Sequence, residues 1–211
     1  MSKYIEMTPH VSNSLRTGTP VVAIATGFFM RLPYPKNFQA LQECERVIWS
    51  LNCVPCSIGV IDGMLKVGLN KEDLDYLCQN GTAANRVDLP GLVAKGGTAA
   101  VRASAAIAMA KLVGIECVVA PGLSDAPGDL DALSAYQRMV FCEDLTQDVK
   151  LLYAARSIPV LDQVAETLSD AYLVQQELGM SECTVICCER SIRSMAERAC
   201  EAAVAYKKNV L

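Results

Sequence analysis

The chain has 211 residues, of which 52% are hydrophobic and 20% charged, with a formal charge of −4 and a pI near 5.1. That length and apolar share fit one domain with a full core and exclude a disordered chain, and the acidic balance, with no Lys/Arg run, excludes nucleic acid as a partner. The longest apolar stretch, 103–122, is broken by Lys111 and Glu116, and the first residues lack a signal-peptide pattern. A cytoplasmic protein with no membrane span is expected.

Residues 20–26, PVVAIAT, form a short apolar run between Gly18 and Gly27 and predict a buried strand. Apolar positions from Phe38 to Leu51 recur at helical spacing and predict a helix over 37–51. Two strands, 57–61 and 65–69, are joined by Asp62-Gly63, a favoured hairpin turn. Asn70 is placed to cap a helix that Asn80-Gly81 ends. The alanine-rich stretch 97–113 predicts a helix that packs closely, and GIECVVAPG a buried strand after it. Gly122 then opens the loop LSDAPGD at the carboxyl end of that strand, where open α/β sheets bind ligands. A helix over about 129–137, the strand MVFC, a short helix and a strand LLYAA follow, then a helix from Pro159 to Leu178, the strand CTVICC and a last helix. The expected architecture is α/β: a single domain, a largely parallel sheet with one hairpin, and helices on its faces.

Ten cysteines in a chain of this size without a signal peptide predict reduced core residues rather than a disulfide framework. Cys53-Val-Pro-Cys56 has the C-x-x-C form but falls where a strand begins. His10 is the only histidine, so metal cages and Ser-His or Cys-His schemes have little to draw on. Chemistry is left to Lys, Arg, carboxylates, Cys and backbone groups.

The stretch LPYPKNFQALQECERVIWSLNCVPCSIGVIDGMLKVGLNKEDLDYL resembles the N-terminal part of the pseudouridine-5′-phosphate glycosidase and indigoidine synthase A-like family. RVDLP at 86–90 is similar to that family's RRDLP, GIECVVAPG to its GI-x-VFATGG, and AARSIPVLD to its AGAKSILD, over about residues 10–179. The resemblance implies a sugar-phosphate pocket in which a lysine of AGAKSILD forms an imine, assisted by a glutamate, a second lysine and a manganese-bound aspartate. It implies a homo-oligomer, a trimer. It also places Arg156 at the imine lysine, Ala25 at the glutamate of ALESTI, Ala83 at the second lysine, and Cys142 against the metal-binding aspartate, with FDISADL shortened to FCEDL. Val101-Arg102 stands where NGATTVA carries two threonines. An arginine cannot replace the lysine, because its guanidinium stays protonated. On this reading the catalytic residues and the manganese site are lost, no cofactor is expected, and the 211 residues form one family domain without the family's C-terminal part.

The candidate ligand-binding residues are Arg156, Lys95, Thr98, Arg102, Gly122 and Ser124. Arg156 is either an anion anchor or the partner of Asp144, Asp148 or Asp162. Lys95 and Arg102 flank the turn Gly96-Gly97-Thr98, whose backbone N–H groups suit an anion. Ser124 and Asp125 lie in the loop after Gly122, Cys142 is a core filler or a nucleophile, and Arg86 and Asp88 fix a turn before a helix that Pro90 starts. Two functions are compatible with these residues. One is a degenerate member that binds a small anionic or sugar-phosphate ligand. The other is an altered glycosidase or lyase with its lysine moved to Lys95 or Lys150 and its acid–base group to Glu143 or Asp144.

Overall fold

A computed structural model describes residues 3–135, 138–162, 183–188 and 191–210. The chain begins with β1 (Ile5–Met7) and α1 (Pro9–Thr17), then runs through β2 (Val21–Ala25), the 3-10 turn Thr26–Arg31 and α2 (Lys36–Ser50). β3 (Val54–Ile61) and β4 (Met64–Val67) form the expected hairpin. Asp62 and Gly63, at φ 49 and 76, both occupy the left-handed region that a two-residue type I′ turn requires. α3 (Lys71–Asn80) follows, capped by the Asn70 side chain, which accepts from the Asp73 N–H at 2.7 Å.

After β5 (Thr82–Ala84) and α4 (Leu89–Lys95), the alanine-rich stretch departs from expectation. Residues Ala99–Val101 are a strand, β6, and the helix α5 starts only at Ala103 and ends at Val113. The reason lies in β3, whose edge is paired with β2 only as far as Ile58; β6 takes over at Gly59 and Val60. Backbone pairing at a buried edge overrides the helical preference of alanine.

The rest of the chain supplies β7 (Cys117–Val119), α6 (Pro127–Ala135), β8 (Arg138–Glu143), α7 (Gln147–Ala155), β9 (Val160–Asp162), β10 (Cys183–Cys188) and α8 (Ile192–Val210). LLYAA is therefore the second half of α7 rather than a strand, and Val160 to Asp162 is a strand rather than the start of a helix. Both errors share a cause. Short apolar runs carry no decisive period, and only the sheet contacts tell strand from helix. The remainder of the helix expected after Pro159 lies outside the described residues.

The sheet has the order β1-β4-β3-β2-β7-β8-β10-β9, with β6 on β3 and β5 on β6. Among the described residues only the contacts of β3 with β4 and with β6 are antiparallel. Alternating residues of each strand face opposite layers. Val21, Ala23 and Ala25 pack with α5, α6 and Tyr153, while Val22 and Ile24 pack with α2 and α8. The eight residues Ala103–Ala110 of α5 are all buried, which their small side chains permit. No helix of the described residues is long and apolar enough to cross a membrane.

Candidate functional site

β2 lies inside the sheet, and the chain leaves it first toward β3 on one side and later returns to β7 on the other. The crevice outside the carboxyl ends of β2 and β7 is thus the point where strand order reverses, the usual ligand position in open α/β sheets. Four segments converge there.

Beyond Ala25 the chain tightens into the 3-10 turn Thr26–Arg31. Side chains three apart in such a turn eclipse, and the Arg31 guanidinium lies over the Phe28 ring, 4.5 Å from its centroid. Gly122, after β7, adopts φ 75, and a Cβ there would stand 2.9 Å from Phe28 Cδ2 and 3.1 Å from Arg31 Nη2. The bare glycine lets that loop lie against the stack. Gly27 is constrained in the same way, since a Cβ would stand 2.9 Å from the Arg102 backbone N.

A pocket of about 300 Å³ opens between these segments. The turn contributes Gly27, Phe28, Met30 and Arg31; Gly81 and the first residues of β5, Thr82 and Ala83, add to the lining. Arg102 and Ala103 come from the start of α5, and Pro121 and Gly122 from the loop after β7. Among the described residues two arginines line it, with no lysine, histidine, cysteine or carboxylate. Among the described residues neither arginine forms an ion pair.

Behind the pocket sits Asp129, 5% exposed. Its Oδ1 accepts from the Ser104 N–H at 3.2 Å, and its Oδ2 from the Ser124 N–H at 3.2 Å and the Ser124 hydroxyl at 3.0 Å. The Tyr153 hydroxyl donates to the Ser124 carbonyl at 2.6 Å. This tie joins the loop after Gly122 to the first turn of α5. Burial raises the Asp129 carboxyl above its ordinary range, opposed by the Ser124 and Ser104 donors and by the charge of Arg102.

The structure brings Arg102 and Gly122 together and puts Ser124 one layer behind them. Lys95 and Thr98 lie elsewhere. Thr98 accepts from the Asp62 N–H at 3.1 Å, at the amino end of β6, while Arg102 follows its carboxyl end. Arg156 is exposed at the C-cap of α7. It is not among the described residues that line the pocket. Asp144, one of its three expected ion-pair partners, instead takes Lys150 at 3.0 Å. Neither Lys95 nor Lys150 lines the pocket. Cys142 is buried in β8 with its thiol toward the Ile186 carbonyl; its neighbour Cys187 and burial hold the thiol well above its ordinary range. Arg31, Phe28 and Asp129 were missed by sequence reasoning.

The model of the indigoidine synthase A like protein family matches residues 10–149. The chain belongs to the indigoidine synthase A-like family. Relatives of this family member include the pseudouridine-5′-phosphate glycosidases of Hahella chejuensis, 30% identical over 67% of this chain and 52% of the relative, and Petrotoga mobilis, 36% identical over 57% and 40%. The chain spans about half the length of the curated relatives it matches. The fold is shared with an indigoidine synthase A-like protein of Thermotoga maritima, at TM-score 0.74 and 16% identity over 96% of this chain and 92% of that one. It is shared also with the prealnumycin C-glycosynthase AlnA, solved with ribulose 5-phosphate, at TM-score 0.76 and 14% identity over 98% and 91%.

The indigoidine synthase A-like match ends at residue 149, before Arg156. The donors around Asp129 occupy both its oxygens, and among the described residues no group of three or more His, Cys, Asp or Glu side chains could hold a metal ion. The donor set does not fit a manganese ion caged by protein ligands.

Proposed function

We propose that the pocket at the carboxyl ends of β2 and β7 binds a small anionic ligand of the sugar-phosphate class and does not cleave a C-glycosidic bond. The observation that carries this reading is the pocket lining, which among the described residues holds Arg31 and Arg102 and no lysine or carboxylate. Guanidinium groups bind phosphate through charge-assisted, often bidentate hydrogen bonds. They do not add to a carbonyl, so an imine has no amine to form on at this pocket.

Supporting it are the names of the curated relatives, which act on a pseudouridine 5′-phosphate, and the ribulose 5-phosphate bound by one structural neighbour. Ala25, which the resemblance sets against the family glutamate, is buried at the end of β2, and Ala83, which it sets against the second lysine, lines the pocket. On that resemblance, methyl groups at both places leave binding contacts without an acid or base. The test is calorimetric titration of the full chain with ribose 5-phosphate, together with uracil release from pseudouridine 5′-phosphate with manganese added. Saturable binding without uracil release is the expected result. Release above a no-enzyme control, or lysine trapping by borohydride, would overturn the non-catalytic part; absence of binding would overturn the rest.

A further inference from the structure

The motif Cys53-Val-Pro-Cys56 finds no use in the pocket, and the fold separates its two cysteines. Cys56 packs in the layer of α5, Cys53 in that of α2 and α8. Cys53 meets a different partner. Its thiol donates to the Cys200 carbonyl of α8 at 3.8 Å and is hydrogen-bonded to the Cys200 thiol. Cys44 of α2 and Cys117 at the start of β7 lie within electrostatic reach of Cys200, so four free, buried thiols gather at the last helix. A cleft of about 370 Å³ runs between Leu51 and Glu201, Val204 and Ala205 of α8, and among the described residues Cys200 alone of the four thiols lines it. The hydrogen bond between the thiols lowers Cys53 against the effect of burial and raises Cys200, while burial raises Cys44 and Cys117. Thiolate character therefore collects on Cys53.

We infer that Cys53 and Cys200 are a reversible oxidation site, which hydrogen peroxide entering beside Leu51 closes into a disulfide between the sheet and the last helix. The Cys53 thiolate attacks one peroxide oxygen: an S–O bond forms, the O–O bond breaks, and the hydroxide that leaves takes up the proton Cys53 gave up. Cys200 then attacks the sulfenic sulfur. The S–S bond forms, the S–O bond breaks, and the Cys200 proton leaves with the hydroxyl group as a second water. The two sulfurs give up two electrons and the peroxide gains them. A thiol reductant reverses the bond by exchange. The linkage joins residues 147 apart, so it restricts the unfolded chain strongly. Cys53 and Cys117 lie at the amino ends of β3 and β7, whereas the pocket lies at the carboxyl ends of β2 and β7, and this inference stands apart from the anion-binding reading.

The experiment treats the reduced, native full chain with hydrogen peroxide, blocks the remaining thiols, and maps peptides by mass spectrometry with and without dithiothreitol. A linked pair of peptides carrying Cys53 and Cys200 is expected, lost again on reduction. The thermal midpoint is expected to rise by about 5 °C or more on oxidation. Cys53→Ala should abolish the linkage and the rise, whereas Cys44→Ala should keep both; the map of the parent decides alone where a variant does not fold. A linkage of Cys53 with Cys56, a linkage of Cys53 or Cys200 with Cys44 or Cys117, sulfinic or sulfonic products without a linkage, or unchanged thiols would overturn the inference. So would a linkage formed only in denaturant, or one that leaves the midpoint unchanged or lower, since the native fold would then not hold the pair ready.

Discussion

The Thr26 hydroxyl accepts a hydrogen bond from the Val101 N–H at 3.1 Å and donates one to the Ile58 carbonyl at 2.7 Å. A fully buried side chain thus fills the place where β3 passes from one neighbour, β2, to the other, β6. Thr26→Val keeps the shape and strands both backbone groups. The expected cost is about 2 to 4 kcal/mol, at roughly 1 to 3 for each buried unsatisfied group, read by denaturant unfolding. A change under about 0.5 kcal/mol would show that the two strands close without the hydroxyl.

Gly27→Ala tests the narrowest approach in the site. The three atoms nearest the added methyl are backbone atoms of Val101 and Arg102, all 2.9 Å away, and none can rotate aside. A loss of about 1 to 3 kcal/mol is expected. Weaker ribose 5-phosphate binding should accompany it, because the displaced segment carries Arg102.

Asp129→Ala removes the acceptor for Ser104 and Ser124 together. Leaving those donors partly unsatisfied is expected to cost about 2 kcal/mol, the burial cost of the carboxylate offsetting part of the loss. Unfolding in guanidinium checks the stability. Faster proteolysis at the loop after Gly122 would locate the damage, and an unchanged cleavage pattern would contradict the proposed tie.

Glu45 supplies a pH dependence. It accepts from the buried Ser57 hydroxyl, and burial raises its carboxyl above the ordinary value against the lowering effect of that hydrogen bond. The folded state therefore holds the proton to higher pH than the unfolded chain does. As pH rises from the unfolded pKa through the raised folded one, the unfolded state binds fewer protons and stability falls. Glu45→Gln keeps an oxygen for Ser57 and removes the titration. The variant should gain on the parent progressively from acid to neutral pH in urea unfolding, and parallel curves would rule out a raised Glu45.

Arg156→Ala is expected to change stability by no more than about 0.5 kcal/mol, because the side chain is exposed and lacks an ion pair among the described residues. Binding of ribose 5-phosphate should also be unchanged. A large loss of either would return Arg156 to the site.

Much of this architecture was legible in the sequence, and the failures have physical causes. Val21–Ala25, the Asp62-Gly63 turn, the Asn70 cap and the crevice at Gly122 each rest on a local rule that burial did not override. Ala99–Val101 and LLYAA were misread because a short apolar run fits helix and strand equally, and its state was decided by pairing with distant residues. Arg156 was expected at the end of a strand for the same reason, and it caps a helix instead. Arg31 went unseen because its role depends on the eclipsed geometry of a 3-10 turn, which apolar periodicity does not encode.

The eight buried residues that open α5 make that helix a clock for the whole molecule. Amides with no exposed face exchange with deuterium only when the sheet and its covering helices come apart together, so the slowest of them measure global unfolding. The Ser104 amide, held by Asp129 at the edge of the same helix, is governed by the loop tie and exchanges through a smaller opening. The ratio of the two rates in one experiment gives the free energy separating the opening of the site from the loss of the fold, and a ligand in the pocket should slow Ser104 first.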